Sequence, residues 1–281
     1  MRPTSESTIL VTGATDGLGK ATAMELARTG ATVLLHGRDQ TRGEEALAEI
    51  RAETGNDRLG WYRADLSSLN EVRDLAERVS AEHERLDVLL NNAGIGTTLP
   101  GGGLRMQSED GYELRFAVNY LAPFLLTRLL QPLLLDSAPA RIVNVSSAGQ
   151  APIDFDNVML ERGYDGVRAY SQSKLALVMF TFDLADELRD SRLTANCLHP
   201  GTYMPTKMVL DAGVNPIDSL AAGVHATLRL ITGPELEGVS GRYFNRLDEG
   251  RAHAQAYDPE VRSRLRQLSE RLVGPAVGQA R

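Results

Sequence analysis

Residues 9–30 read ILVTGATDGLGKATAMELARTG. A short apolar run ends in Gly13, and glycines recur at 17 and 19. Helical spacing then takes over, with Ala23, Leu26 and Ala27 on one face until Gly30 stops it. The reading is strand, tight turn, helix. Glycine allows positive φ and close backbone approach in such a turn, and the helix N-terminus offers free N–H groups to a pyrophosphate. The spacing is G-x-x-x-G-x-G rather than the more familiar G-x-G-x-x-G, and alone it also fits a plain strand-to-helix turn.

The alternation runs outward from there. Residues 31–37 (ATVLLHG), 59–65 (LGWYRAD), 86–94 (LDVLLNNAG), 141–147 (RIVNVSS) and 193–201 (LTANCLHPG) read as buried strands. Residues 41–54, 67–83, 109–135 and 169–189 read as helices, with Pro123 and Pro132 as kinks or boundaries. Near-continuous apolar strands alternating with helices predict an α/β fold. It is a single doubly wound parallel sheet, a Rossmann fold, with helices on both faces and one domain over 1–281. Residues 201–216 (GTYMPTKMVLDAGVNP) are rich in Gly, Pro and Met and poorly periodic, so a substrate lid is expected over 201–218. A charged terminal helix is expected over 258–273.

Composition narrows the function classes. The chain has 281 residues, 42% apolar and 24% charged, with a net charge of −7, which is ordinary globular usage. An acidic surplus is a poor match to a phosphate backbone, so no nucleic-acid partner is expected. Cys197 is the one cysteine, which forbids an intrachain disulfide and suits a reducing, cytoplasmic setting. The five histidines, 36, 83, 199, 225 and 253, lack metal-ligand spacing, and no metal is expected. The N-terminus is polar. The longest apolar stretches, 129–135 and 88–90, fall short of the roughly 20 residues that span a bilayer, so no membrane partner is expected.

Four further segments give the glycine turn meaning. Asp65-Leu66 closes the third strand, where an adenine ring would lie, and Asn91-Asn92-Ala93-Gly94 follows the fourth. Ser146-Ser147 ends the fifth. Tyr170 and Lys174, in YSQSK, stand at i and i+4 on one helix face. An ammonium beside the phenol is expected to lower the tyrosine pKa from about 10 toward neutrality.

Together these residues resemble the short-chain dehydrogenase/reductase family, over residues 11 to about 201. The runs RIVNVSSAG (141–149) and FAVNYLAPFLLT (116–127) look most like its retinol-dehydrogenase-like branch. The resemblance implies a catalytic set of Asn119, Ser147, Tyr170 and Lys174. Tyr170 would be the general acid in reduction, and Lys174 would tune it and hold the nicotinamide ribose. Ser147, chosen over Ser146, would bind the substrate oxygen, and Asn119 would support a proton relay. It further implies cofactor contacts from Gly13, Thr15, Asp16, Gly17, Leu18, Gly19, Arg38, Asp65, Leu66, Asn92, Ala93, Gly94, Tyr170, Lys174, Pro200, Gly201 and Thr202. Ser147 and Tyr170 are about ten positions further apart than is usual in the family, and the insert between them is expected to line the substrate cleft.

Cofactor choice rests on the end of the second strand. NAD enzymes place an acidic residue there, where this chain has Gly37; Arg38 follows and can face a 2′-phosphate. Asp39 and Asp16 complicate that reading, but NADP is favoured over NAD. His36 either stacks near the adenine or packs at the strand end. The expected function is NADP-dependent hydride transfer to or from a carbonyl or secondary alcohol of a medium-sized, mostly apolar small molecule. Its walls would come from 95–106, the insert and the loop after 201. They include Ile95, Leu99, Ile153, Leu160, Met204 and Met208, with Arg105, Arg162, Arg168 and Lys207 as the candidates for holding an anion. A homodimer or homotetramer fits the resemblance. The alternatives are a non-catalytic NAD(P)-binding regulatory protein and a nucleotide-sugar epimerase of the related extended family.

Overall fold

The computed structural model describes residues 2–97 and 104–275; Leu99 lies outside them. Its strands are β1 (Thr8–Val11), β2 (Thr32–Gly37), β3 (Leu59–Arg63), β4 (Val88–Asn91), β5 (Ala140–Val145), β6 (Leu193–His199), β7 (Tyr243–Asn245) and β8 (Asp248–Glu249). They form one sheet in the order β3-β2-β1-β4-β5-β6-β7-β8. All pairings are parallel except β7–β8, which is a short antiparallel hairpin.

Strand alternation divides the core. Leu10 packs on one face of the sheet, in a layer with Leu75, Leu125 and Leu177. Its neighbours Ile9 and Val11 pack on the other, with Leu26, Ile50 and Leu230. The first layer is covered by α3 (Leu69–Glu82), α4 (Leu114–Phe116), α5 (Ala122–Asp136) and α6 (Gly166–Glu187). The second is covered by α1 (Gly17–Arg28), α2 (Gln40–Thr54) and α8 (Leu220–Thr232). A short α7 (Lys207–Leu210) and a terminal α9 (Pro259–Val273) complete the helices. The fold is the doubly wound sheet expected from the alternation.

Three differences from the sequence reading have physical causes. β7 and β8 escaped notice because three and two residues are too short to show a period. α8 was unassigned, although Ser219 caps it by accepting from Ala222 N, and Val224, Leu230 and Ile231 are buried along it. Last, α4, a π turn (Ala117–Leu121) and α5 join into one helix, Leu114–Asp136, of 23 residues, long and apolar enough by length and composition to cross a membrane. Pro132, expected as a kink or boundary, lies inside it. It is a core helix, and 61% of its apolar window is buried.

Candidate active site

The chain winds outward through β1-β2-β3 and then restarts at β4 beside β1. A crevice opens outside the carboxyl ends of strands at such a switch point. The glycine turn lies there. Gly13 has φ +66°, and a Cβ on it would lie 2.8 Å from Ala93 Cα. A Cβ on Gly19 would overlap Gly13 O and Asn92 Nδ2. Thr12 and Asn92 lock the two loops together: Asn92 N and Ala93 N donate to Thr12 Oγ1 at 2.9 and 3.1 Å, and Asn92 Nδ2 donates to Thr12 O at 2.8 Å. Asn92 therefore shapes the turn with its side chain. Asp16 caps α1, accepting from Gly17 N at 2.6 Å, and Leu18 is buried behind it.

The catalytic candidates converge one strand over. Ser147 faces Tyr170, close enough for its hydroxyl to act on the phenol, and Gly149 N donates to Ser147 Oγ at 3.0 Å. Ser146 is turned away, its hydroxyl donating to Lys174 O at 2.9 Å, which supports Ser147 as the substrate-facing serine. Lys174 is buried, donates from Nζ to Val145 O at 2.9 Å, and lies 5.8 Å from the Tyr170 ring centroid. Burial pulls its pKa down to about 8. The expectation for Tyr170 is corrected. Burial pushes its phenol above the usual range, the Ser147 hydroxyl opposes that, and nearby Tyr203 adds to it. The ammonium is directed at a backbone carbonyl and does not offset the desolvation of a phenolate.

Asn119 is fully buried in the π turn. Its amide is held by Ile95 N (2.8 Å to Oδ1), Ile95 O (3.1 Å from Nδ2) and Ser173 Oγ (3.0 Å). Pro123, four residues on, has no N–H for the Asn119 carbonyl, and Ala122 N donates five residues back to Ala117 O. Gly94 faces this group: a Cβ there would lie 3.2 Å from Asn119 Oδ1 and 3.3 Å from Lys174 Nζ.

At the opposite end of the crevice, Arg38 is exposed and Gly37 is buried. A Cβ on Gly37 would lie 2.7 Å from Thr15 Cγ2 and 2.9 Å from Trp61 Cη2, so packing leaves no room for a carboxylate there. Asp39 caps α2 through Arg42 N at 3.0 Å and makes no ion pair with Arg38. Arg42, in the first turn of α2, is a further candidate that the sequence did not single out: its guanidinium meets Asp16 of the glycine turn at 3.0 Å. Asp65 accepts from Ser67 N at 2.9 Å and Leu66 is buried, so both brace the loop after β3. His36 is packed at the strand end rather than stacked, bonded to Gly13 N and Ala64 O.

Pro200 and Gly201 are buried where β6 ends, and Thr202 N donates to Asp218 Oδ2 at 2.6 Å. The segment beyond lies across the crevice. A Cβ on Gly17 would meet Thr206 at 3.0 Å, and one on Gly96 would meet Met208 Cγ at 2.7 Å. Among the expected wall residues, Ile153, Leu160 and Met204 are corrected to core positions. Tyr203 and Met208 stay exposed beside the cleft. The four candidate anion-holders have partners within the chain: Arg105 with Met159 O, Arg162 with Asp156 O, Arg168 with Asp154 and Lys207 with Asp211. Among the described residues, no group of three His, Cys, Asp or Glu side chains converges as a metal site.

A family model described as short chain dehydrogenase matches residues 7–214. The mouse protein named retinol dehydrogenase 13 is 41% identical over 96% of this chain and 84% of its own length. Human retinol dehydrogenase 14 is 40% identical over 95% of this chain and 86% of its own. Among solved structures, a short-chain dehydrogenase from Escherichia coli CFT073 complexed with NADPH superposes with a TM-score of 0.70. It is 33% identical, with 86% of this chain and 97% of that one covered. A protein from Mycobacterium paratuberculosis superposes with a TM-score of 0.74 at 32% identity, covering 95% and 93%.

Proposed function

This chain belongs to the short-chain dehydrogenase family, within its retinol-dehydrogenase-like branch, and from that premise we propose an NADP(H)-dependent oxidoreductase acting on a medium-sized, mostly apolar carbonyl or secondary alcohol. The observation that carries this reading is the convergence of Lys174 and Asn119 on Gly94, with Lys174 Nζ 5.8 Å from the ring centroid of Tyr170, which Ser147 faces, at the carboxyl ends of β4 and β5. The glycine cradle at 13, 17 and 19 fits a dinucleotide, since a side chain at 13 or 19 would strike backbone. Arg38 and Arg42 suit a 2′-phosphate, with Asp16 as the Arg42 counter-ion before the phosphate arrives.

The nicotinamide supplies or accepts the hydride when bound. This chain's residues do the rest. Ser147 Oγ and Tyr170 OH hold the carbonyl oxygen from one side, and Tyr170 gives it the proton in reduction. Lys174 would hold the ribose hydroxyls; it remains mostly protonated at neutral pH, below its value of about 8. The Asn119 carbonyl, which Pro123 cannot use, is placed to anchor a water that returns a proton toward Lys174. The segment 201–218 acts as a lid that excludes water over the crevice. Among the described residues, the candidate cations Arg168 and Lys207 are ion-paired with Asp154 and Asp211, which lessens their pull on an anionic substrate and favours apolar ones.

The test is NADPH oxidation across aldehydes, ketones and quinones, with phosphorylated sugars of similar size as the contrast. Turnover of apolar carbonyls with NADPH preferred over NADH is the expected result. A preference for anionic sugars, or for NADH, overturns the substrate or the cofactor half respectively.

A further inference from the structure

Arg115 is among the largest fully buried side chains, and the function above has no use for it. Its guanidinium reaches two separate segments. Nε donates to Gly96 O at 2.8 Å and Nη2 to Thr97 O at 2.7 Å, both in the stretch that follows Asn92–Gly94. Nη1 donates to Tyr164 OH, in the insert between Ser147 and Tyr170. Glu113 closes the cluster. It lies 3.6 Å from Arg115, accepts from Tyr164 OH at 3.1 Å and from Phe116 N at 2.7 Å, and is as buried as the arginine.

The contacts form a ladder. Arg115 and Asn119 are one helical turn apart, and together they bond the carbonyls of Ile95, Gly96 and Thr97 and the Ile95 amide. The helix thus grips one cleft wall continuously, from beside Lys174 outward. The insert is drawn against the same wall: a Cβ on Gly166 would lie 2.8 Å from Thr97 O. A buried ion pair is weak evidence for stability, since apolar residues of equal volume often stabilise as much. Here, though, the donors point at wall carbonyls on one side and at the insert on the other. What the pair provides is a fixed distance between them.

We infer that Arg115, with Glu113 and Tyr164, is a specificity-determining positioning residue that sets the shape of the substrate cleft by tying the insert to the 95–97 segment. The inference deepens the proposed reductase reading and rests on it for the substrate. A rigid wall selects slim carbonyls by shape, because the two segments cannot part without breaking hydrogen bonds to a buried guanidinium. Arg115 itself touches no reacting atom.

Tyr164→Phe is the primary variant, since it removes one hydroxyl and keeps the volume; Arg115→Lys is the second. The expected result is an NADPH Kd within about twofold of wild type. The ratio of kcat/KM for a naphthyl ketone over benzaldehyde should rise by about fivefold or more, through KM. A structural role alone would lower thermal stability and leave that ratio fixed within about twofold, which overturns the inference. Hydrogen exchange gives a readout independent of activity. In Tyr164→Phe, the amides of 95–97 should lose protection together with those of 158–166, by about tenfold. Loss confined to the insert also overturns the coupling. If wild type reduces no carbonyl, the functional proposal falls, while the exchange result still decides whether Arg115 joins the walls.

Discussion

His36 Nδ1 accepts a hydrogen bond from the Gly13 backbone N–H at 3.3 Å, while its Nε2 faces Ala64 O at 3.1 Å. The first bond requires an unprotonated Nδ1 and the second a protonated Nε2, so the ring is neutral in that tautomer. Burial agrees, pulling the pKa down to about 4. The ring therefore pins the glycine turn to the loop after β3, two parts of one proposed cofactor cradle. A lowered folded-state pKa means that the stabilisation is fully present above the unfolded value near 6.5 and is lost as pH falls through about 4. His36→Asn should thus be less stable than wild type at pH 7, by a difference that shrinks between pH 6.5 and 4. Urea unfolding of both proteins across that range measures it. A pH-independent difference would show that the ring only fills space.

Tyr170→Phe should bind NADPH normally yet lose about 10²–10⁴-fold in kcat, the range for a positioned general acid. Lys174→Ala should weaken both NADPH binding and turnover, because its ammonium is proposed to hold the nicotinamide ribose and so to place the hydride. With Lys174 titrating near pH 8 in the free enzyme, kcat/KM should decline above that pH, and Lys174→Arg should move the decline upward. Stopped-flow binding and pH–rate profiles separate the two residues. A Tyr170→Phe enzyme keeping a tenth of wild-type turnover would sink the acid–base assignment.

Local order was legible in the sequence where a pattern is short in range. The glycine turn, six strands and the YSQSK helix face follow from periodicity and backbone sterics. What escaped depends on contacts distant in sequence. Arg115 reaches Tyr164 across 49 positions, and Asp218 is joined to Arg246 across 28. The Tyr170 pKa went the other way because i, i+4 spacing places a lysine nearby without saying that its Nζ is bonded to Val145 O. The sequence marks the insert's apolar residues as cleft wall, whereas Ile153 joins the core layer on one sheet face and Leu160 is fully buried, as apolar side chains are when packing offers room.

Cofactor choice gives a paired prediction. Arg38→Asp should reduce NADPH affinity by about 10- to 100-fold, the scale of one charge-assisted phosphate contact, and leave NADH affinity unchanged or improved. Arg42→Ala should weaken NADPH by a smaller factor, because Asp16 competes for the guanidinium in the free protein. Fluorescence titration of both cofactors into each variant tests this. A wild type that already prefers NADH contradicts the assignment of both arginines.

The root of the proposed lid is closed by a small polar latch. Asp218 Oδ2 accepts from Thr202 N at 2.6 Å and from Arg246 Nε and Nη2 at 2.9 and 2.7 Å, and these interactions hold its carboxyl below the usual range. Two backbone bonds complete the root, Asp218 N to Thr202 O and Ile217 N to Tyr203 O, both at 3.0 Å. Arg246 sits in the left-handed region, with φ +58°, between β7 and β8, so the hairpin presents its side chain to the latch. The loop it closes is largely exposed between Lys207 and Pro216, so local opening rather than global unfolding should expose it to protease. Cleavage within 205–216 is expected first in the free protein and slower with NADPH and a substrate analogue. Arg246→Ala should speed cleavage by up to about fivefold, the ceiling for a solvent-exposed ion pair, and high salt should narrow the gap between variant and wild type. Equal cleavage of both proteins, with no protection by NADPH, would mean that the latch does not govern the segment and that the segment is not a lid.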